Sequence, residues 1–390
     1  MSDVYDAVVV GSGPAGGAAA IVLARAGCHT LLVDRHSFPR DKPCGDLIGA
    51  RAFAVLRHLD LDLSACDDHP LLQGALLTAG GNTLDLTPHS RVGRRLLAGS
   101  EARVVPRFLF DNLLHDAARA AGAETLPATV RQVGPMGDIR PVRLNGETGP
   151  RQLAARTVII AGGYGCRVAR DIAPRERDDG PSRGIARRGY VRNVTAPPDR
   201  IVFALDPWLL PGYGWLFPLP DGRANVGVGM LAHPEDDHQA RLDDLWQRVL
   251  APESPLAPWL DGAEPEGRPR TWPLDLGPRQ RRLVADGLLV AGEAAGLVGP
   301  LTGAGIANAL ESGVLAGATA ASALANGDVS RHGLRSYGAT IRRRYAPRLR
   351  SELWAQRFLA DIDRTDALYR VLRRLPPTGV VGARLLLHLG

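Results

Sequence analysis

Tyr5-Asp6-Ala7-Val8-Val9-Val10-Gly11-Ser12-Gly13-Pro14-Ala15-Gly16 begins as an apolar run and ends in a turn spaced G-x-G-x-x-G. The run has the near-continuous apolar character of a strand buried on both faces of a parallel sheet. A small-residue helix is predicted over Gly17–Ala26, and Leu31-Leu32-Val33 supplies a second strand that ends at Asp34. Strand, glycine turn, helix, strand and an acid 23 residues after the first glycine together make a dinucleotide-binding unit. Each position has a task. Gly11 permits the tight turn, Gly13 admits a pyrophosphate close to the backbone, and Gly16 lets the helix pack against the strand. Pro14 and Ala15 lie on the same turn, where a helix N-terminus offers N–H groups to phosphate. Asp34 is expected to accept hydrogen bonds from a ribose. This unit alone fits NAD as well as FAD.

Almost a whole chain away stands a second small-residue loop. Ala291-Gly292-Glu293-Ala294-Ala295-Gly296 leads to Pro300-Leu301-Thr302-Gly303-Ala304-Gly305-Ile306, ahead of a helix predicted over Ile306–Ala325. Between the two lie Val158-Ile159-Ile160-Ala161-Gly162-Gly163 and Leu288-Leu289-Val290-Ala291-Gly292-Glu293, both buried strands running into glycine. A further helix follows Val104-Val105-Pro106-Arg107, with Phe110, Leu113, Leu114 and Ala117 on one apolar face. Arg107 at its start reads, by itself, as a surface residue.

The chain has 390 residues, 45% of them apolar, enough for two domains or one large two-part unit. No apolar run is long enough to cross a bilayer, and a glycine turn stands where a signal sequence would carry its apolar core. The expectation is a cytoplasmic protein. Cys28, Cys44, Cys66 and Cys166 have neither zinc-site nor disulfide spacing, so no metal is expected. The charge of +6 comes almost wholly from arginine, Lys42 being the sole lysine. That excess reads first as compositional. The cluster Arg342-Arg343-Arg344 with Arg348 and Arg350 reads as a solvated helix face, with a peripheral membrane contact or an acidic partner as the alternative. No nucleic-acid module accompanies it.

Five segments, in order over roughly residues 5–320, resemble the geranylgeranyl reductase family of flavoproteins within the larger p-hydroxybenzoate-hydroxylase-like group. They are the N-terminal glycine turn; Phe38-Pro39-Arg40-Asp41-Lys42-Pro43-Cys44-Gly45-Asp46; Arg107-x-x-Phe110-Asp111-x-x-Leu114; Tyr213-x-Trp215-x-Phe217-Pro218 with Gly227-x-Gly229; and Gly292-Glu293-Ala294-Ala295-Gly296 with Pro300-Leu301-Thr302-Gly303-x-Gly305-Ile306. The chain departs from the family in three places: Glu293 stands where Asp is usual, Gly162 where the larger group often has Asp, and Leu47 where the family has Gly. The resemblance implies an α/β fold with a Rossmann-like FAD-binding domain, a second antiparallel β-sheet substrate domain and a helical C-terminal region. The domain boundaries expected are 1–70, 100–180 and 271–330 for FAD, 71–99 and 181–270 for substrate, and 331–390 for the C-terminal region. It also implies FAD adenosine on the Gly11–Gly16 turn, Asp34 and Arg35 at the ribose, and Arg107 near the pyrophosphate or ribityl chain. Cys44, Gly45, Asp46, Gly292 and Glu293 would approach the flavin, with Gly303, Ala304, Gly305 and Ile306 under its pyrimidine edge.

Residues 71–99 and 183–270 carry short alternating runs that read as antiparallel strands. Tyr213, Trp215 and Phe217 recur at period two, on one face of an extended segment. That face either packs the sheet or, with Pro300, lines a pocket for a hydrophobic substrate. Cys44 reads either as a buried small residue or as a catalytic group bordering flavin and alkene, with Lys42 as the nearby cation. Arg331–Gly390 is helical by pattern, with a stripe of Leu349, Leu353, Phe358 and Leu359, and is broken at Pro376-Pro377. The leading expectation is an FAD-dependent reductase acting on carbon–carbon double bonds of an isoprenoid-like or specialised-metabolite substrate. NAD(P)H or a ferredoxin-like protein would supply electrons transiently. The alternatives are an FAD monooxygenase or halogenase of the same group, or a non-catalytic flavin- or lipid-binding protein.

Overall fold

A computed structural model describes residues 4–79, 82–86, 101–147, 149–172, 183–210, 212–232, 237–277 and 282–359. Its strands, in chain order, are β1 (Val4–Val10), β2 (Thr30–Asp34), β3 (Leu47–Ile48), β4 (Gly74–Ala79), β5 (Asn82–Leu86), β6 (Arg103–Val104), β7 (Glu124–Val133) and β8 (Arg140–Gly146). There follow β9 (Gly149–Ile160), β10 (Arg183–Arg192), β11 (Arg200–Ala204), β12 (Tyr213–Pro218), β13 (Ala224–Leu231), β14 (Glu264–Asp275), β15 (Val284–Ala285) and β16 (Leu288–Val290). The helices are α1 (Pro14–Arg25), α2 (Ala50–His58), α3 (Arg107–Ala120), α4 (Arg167–Ile172), α5 (His238–Leu250), α6 (Ala257–Leu260), α7 (Ile306–Ala325) and α8 (Arg335–Leu359).

The first sheet holds the parallel order β7-β2-β1-β9-β16, with β15 antiparallel at the edge. β1 lies between β2 and β9, which is why Val8 and Val9 are fully buried. β7 and β9 are long. Each joins the parallel sheet by one half and pairs with β8 by the other. Helices α1 and α7 cross closely on one face because glycine allows it: a Cβ on Gly313 would lie 2.1 Å from the Ala15 carbonyl oxygen. α1 starts at Pro14, three residues earlier than expected. The fixed φ of proline suits the first helical position, so the second half of the glycine turn already belongs to the helix.

The second sheet has the order β14-β10-β13-β12-β11-β4-β5. Its pairings are antiparallel except β4 with β11, which run parallel because β4 arrives from a distant part of the chain. Alternation along β12 divides the sheet into two faces. Leu216 packs with Leu242, Leu245 and Val249 of α5, while Trp215 and Phe217 pack with Phe203 and Val104 on the side turned toward the first sheet. The short pair β3–β6 ties the segment after Cys44 to the segment before α3.

α8 buries Tyr337, Ile341, Tyr345, Leu349, Glu352 and Gln356. Leu353 is only half-buried, so the expected stripe is rotated and partly polar. The side chains of Phe358 and Leu359, and the expected break at Pro376-Pro377, lie outside the described residues.

Candidate active site

Three cavities adjoin one another where the two sheets meet. The first, about 350 Å³, is lined by Gly11, Gly13, Pro14, Ala15, Asp34 and Arg35 from the N-terminal unit. Gly11 adopts φ +101, in the left-handed region that favours glycine. A Cβ on Gly16 would lie 1.7 Å from the Gly11 carbonyl oxygen, so only glycine fits there. A Cβ on Gly13 would meet nothing closer than an Arg40 nitrogen at 3.7 Å, leaving that backbone open to a ligand. Asp34 closes the turn: Oδ2 accepts from the Ser12 N–H at 2.8 Å and Oδ1 from the His36 N–H at 3.0 Å. The N-cap of α1, Gly13, makes no side-chain cap, so the helix presents free N–H groups to the cavity. These features fit a dinucleotide pyrophosphate and ribose.

Pro14, Lys42, Pro43, Arg107, Trp272, Glu293 and Ala309 line both this cavity and a second one of about 210 Å³, which makes the two continuous. Trp272 Nε1 is buried with no hydrogen-bond partner among the described residues, an orphaned donor between the two cavities. Glu293 does not stand free: Oε2 accepts from the Tyr164 N–H at 3.1 Å and pairs with Lys42 Nζ at 3.5 Å, and Oε1 accepts from the Asp275 N–H at 3.3 Å. The sole lysine therefore serves Glu293, with its Nζ also 5.5 Å from the Trp272 ring centroid. The cation beside Cys44 is instead Arg107, whose guanidinium is near enough to interact electrostatically with the Cys44 side chain.

Arg107 is 4% exposed, against the surface reading of its helix. The buried ridge of α3 is Arg107, Phe110, Asp111, Leu114 and Ala118. Asp111 accepts from Arg107 Nε and Nη2, each at 2.7 Å, and pairs with Arg40 Nη1 at 2.8 Å. Burial is the largest influence and opposes the Arg107 charge, but the Asp111 carboxylate and the neighbouring Cys44 together outweigh it and raise the guanidinium pKa above its ordinary value.

The second cavity is walled by Tyr213, Trp215 and Phe217 on one side, Cys44 and Gly45 on another, and Pro300, Gly303, Gly305 and Ile306 below. A third, about 130 Å³, continues past Gly45 and Asp46 to Gly303, Ala304, Gly305 and Ile306. α7 begins here with Gly305 as N-cap and no side-chain cap, so its N-terminal N–H groups face the cavities. That suits the negative charge a reduced flavin carries on its pyrimidine side. Tyr213 is pushed up in pKa by burial, stays protonated, and donates to the Thr302 carbonyl at 2.6 Å. Of the expected site residues, only Gly16 and Gly292 line none of these three cavities. Both act as packing glycines, a Cβ on Gly292 falling 2.9 Å from the Ala15 Cβ.

Asp46 has φ +63 and a fully buried carboxylate. Its Oδ2 accepts from Tyr190 Oη and Asn225 Nδ2, both at 2.7 Å. Asn225 also donates to the Cys44 carbonyl at 2.7 Å and accepts from Trp215 Nε1 at 3.0 Å. One amide thus fastens the Cys44 loop to the aromatic wall. Its orientation is forced, because indole N–H only donates while carboxylate and carbonyl only accept. Burial pushes the Asp46 carboxyl up to about 6, against the pull of Tyr190, Arg188, Asn225 and Arg107. A Cβ on Gly45 would come within 3.0 Å of Phe217, so the loop closes directly on that ring. Sequence reading missed Asn225, Tyr190, Arg188 and Trp272. Asn225 lies eight residues beyond Phe217, across the β12–β13 hairpin, and a polar residue inside an apolar strand was the available signal.

Fold and site together define a flavoprotein oxidoreductase. The FAD-binding domain family matches residues 4–183. The chain is 33% identical over 338 residues to a menaquinone reductase of Mycobacterium tuberculosis, covering 81% of this chain and 76% of that protein. It is 32% identical over 343 residues to digeranylgeranylglycerophospholipid reductase 1 of Methanopyrus kandleri, covering 85% and 84%. A geranylgeranyl bacteriochlorophyll reductase-like protein from Thermoplasma acidophilum shares the fold, with a TM-score of 0.84, 24% identity and coverage of 98% and 95%. The chain belongs to the geranylgeranyl reductase family of FAD-dependent oxidoreductases.

Proposed function

We propose that this protein reduces carbon–carbon double bonds of an isoprenoid-like, hydrophobic substrate. The observation that carries the reading is the continuity of the glycine-turn cavity with the Tyr213–Trp215–Phe217 wall, in a chain related to a menaquinone reductase and a digeranylgeranylglycerophospholipid reductase. FAD, when bound, supplies hydride. The α1 and α7 N-termini and Arg107 would hold its phosphates and pyrimidine edge, with Gly11, Gly13, Asp34 and Arg35 around its adenosine end. The aromatic wall binds the prenyl chain and excludes water. Cys44 stands between wall and floor, where its thiol can hand a proton to one alkene carbon as hydride reaches the other. Arg107 and Asn225 hold that loop in place. Electrons enter from NAD(P)H or a ferredoxin-like protein. No helix among the described residues is long and apolar enough to cross a membrane.

Incubating the anaerobically reduced holoenzyme with prenylated quinones and prenylated glycerolipids tests the proposal. The expected product gains two hydrogens per double bond by mass. In a parallel aerobic incubation with NAD(P)H, oxygen uptake coupled to an oxygenated product overturns it.

A further inference from the structure

Helix α8 contains seven arginines in 25 residues and a single acid, Glu352, which is 8% exposed. Arg335, Arg342, Arg343, Arg344, Arg350 and Arg357 are all exposed, and of these Arg344 pairs inward with Glu311 at 3.0 Å, so the exposed charges that α8 itself carries are of one sign. The other long surface helices mix signs: α3 pairs Arg119 with Asp116, and α5 pairs Arg248 with Asp244. Compositional arginine excess does not explain a face from which exposed carboxylates are missing. Arg343, Arg350 and Arg357 recur every seven residues, which places them on one stripe about 21 Å long. Trp354, 69% exposed, lies on the same stripe between Arg350 and Arg357. Indole flanked by arginine is the composition that favours the headgroup region of a bilayer.

The inner side of the helix reaches the site. Gln356 lines the aromatic-walled cavity and donates to the Pro300 carbonyl, while Arg348 and Glu352 line the third cavity. Arg348 also donates to Asn308 Oδ1 at 2.7 Å, in the first turn of α7. A surface that engages the outer face therefore sits one helix diameter from the cavities.

We propose that the outer face of α8 docks on an anionic lipid bilayer and brings the cavities to the membrane surface. The purpose of such docking rests on the reading of the substrate as a membrane-borne isoprenoid, but binding itself requires no turnover and can fail or succeed separately. The attraction is electrostatic with an indole anchor, so it should need anionic lipid and weaken with salt.

Flotation of the full-length holoenzyme with vesicles tests this, using phosphatidylcholine alone or with roughly 30% phosphatidylglycerol at about 0.1 M salt. Binding is expected only to the anionic vesicles, with release near 1 M salt, where the screening length falls to about 3 Å. The triple variant Arg343→Gln, Arg350→Gln, Arg357→Gln should bind about a hundredfold more weakly. Trp354→Ala should also weaken binding. The unfolding temperature of each variant is measured beside that of the wild type, and binding is compared at a temperature where both are folded. Failure to bind anionic vesicles, equal binding to neutral ones, or wild-type binding by the folded triple variant would each overturn the proposal.

Discussion

Asp46→Asn should stabilise the protein at neutral pH. Asparagine tolerates the left-handed backbone at φ +63, so the substitution leaves the loop conformation intact. The folded-state value is about 6, against 3.8 for the ordinary carboxyl. A gap of roughly two pH units corresponds to about 3 kcal/mol that ionised Asp46 costs the folded state. The sign follows from the direction. A carboxyl raised on folding penalises nothing below the unfolded value, and its penalty grows as pH rises from there through about 6. The neutral amide escapes that penalty. The introduced amide oxygen can keep the bonds from Tyr190 and Asn225, while the amide nitrogen would face the Arg107 N–H, now 3.4 Å from the carboxylate. That opposition returns about 1 kcal/mol. The expected net gain is therefore about 2 kcal/mol at pH 7.5, falling to zero at about pH 4.5 and turning into a loss of about 1 kcal/mol at lower pH. For 390 residues the gain corresponds to a rise in Tm of about 2–3 °C. Guanidinium unfolding of both proteins across this range is the assay. A variant less stable than wild type at pH 7.5, or a gain independent of pH, refutes the assignment of Asp46 as a strained, ionised group.

The opposite result is expected at Asp111→Asn, which leaves two guanidiniums facing a neutral amide. The loss should be about 3–5 kcal/mol, or about 4–6 °C in Tm, and a loss below about 1 kcal/mol would sink the account. Gly16→Ala should abolish FAD retention, since its methyl group would overlap the Gly11 carbonyl; normal flavin content in the purified variant contradicts this. Asn225→Leu should raise KM for the prenyl substrate and lower kcat by roughly tenfold, by freeing Trp215 and the Cys44 loop together, while flavin content stays unchanged. Unaltered kinetics in that variant would remove Asn225 from the site.

The glycine turn was legible because its requirements are local. A left-handed Gly11 and a Gly16 with no room for a Cβ follow from strand and helix meeting at that angle. The helix beginning at Ile306 was legible for the same reason, being announced by Gly303 and Gly305. What stayed hidden depends on pairing across the chain. Arg107 looked superficial because its partner is four residues on and its second cation, Arg40, comes from the Cys44 segment. Lys42 looked like the modulator of Cys44 because sequence distance is not spatial distance. The parallel β4–β11 pair joins segments more than 120 residues apart, and neither strand's pattern encodes its neighbour's direction.

Arg107 touches two buried carboxylates, and the difference between them indicates how the site is divided. Its guanidinium meets Asp111 through two short bonds, with Arg40 on the same carboxylate, so charge answers charge and the cluster holds α3 to the Cys44 segment. Its backbone N–H only approaches Asp46, whose close partners are a tyrosine and an amide. The first arrangement stabilises the fold; the second raises the energy of the ionised state in order to fix the Asn225 amide, and through it Cys44 and Trp215. Strain of that kind persists where the surrounding structure over-determines it and where the site needs it. The loop that carries Cys44 is therefore anchored at one end by a group that favours folding and at the other by one that opposes it. Substitutions along Arg40–Asp46 should accordingly split into those that lower stability and those that lower turnover.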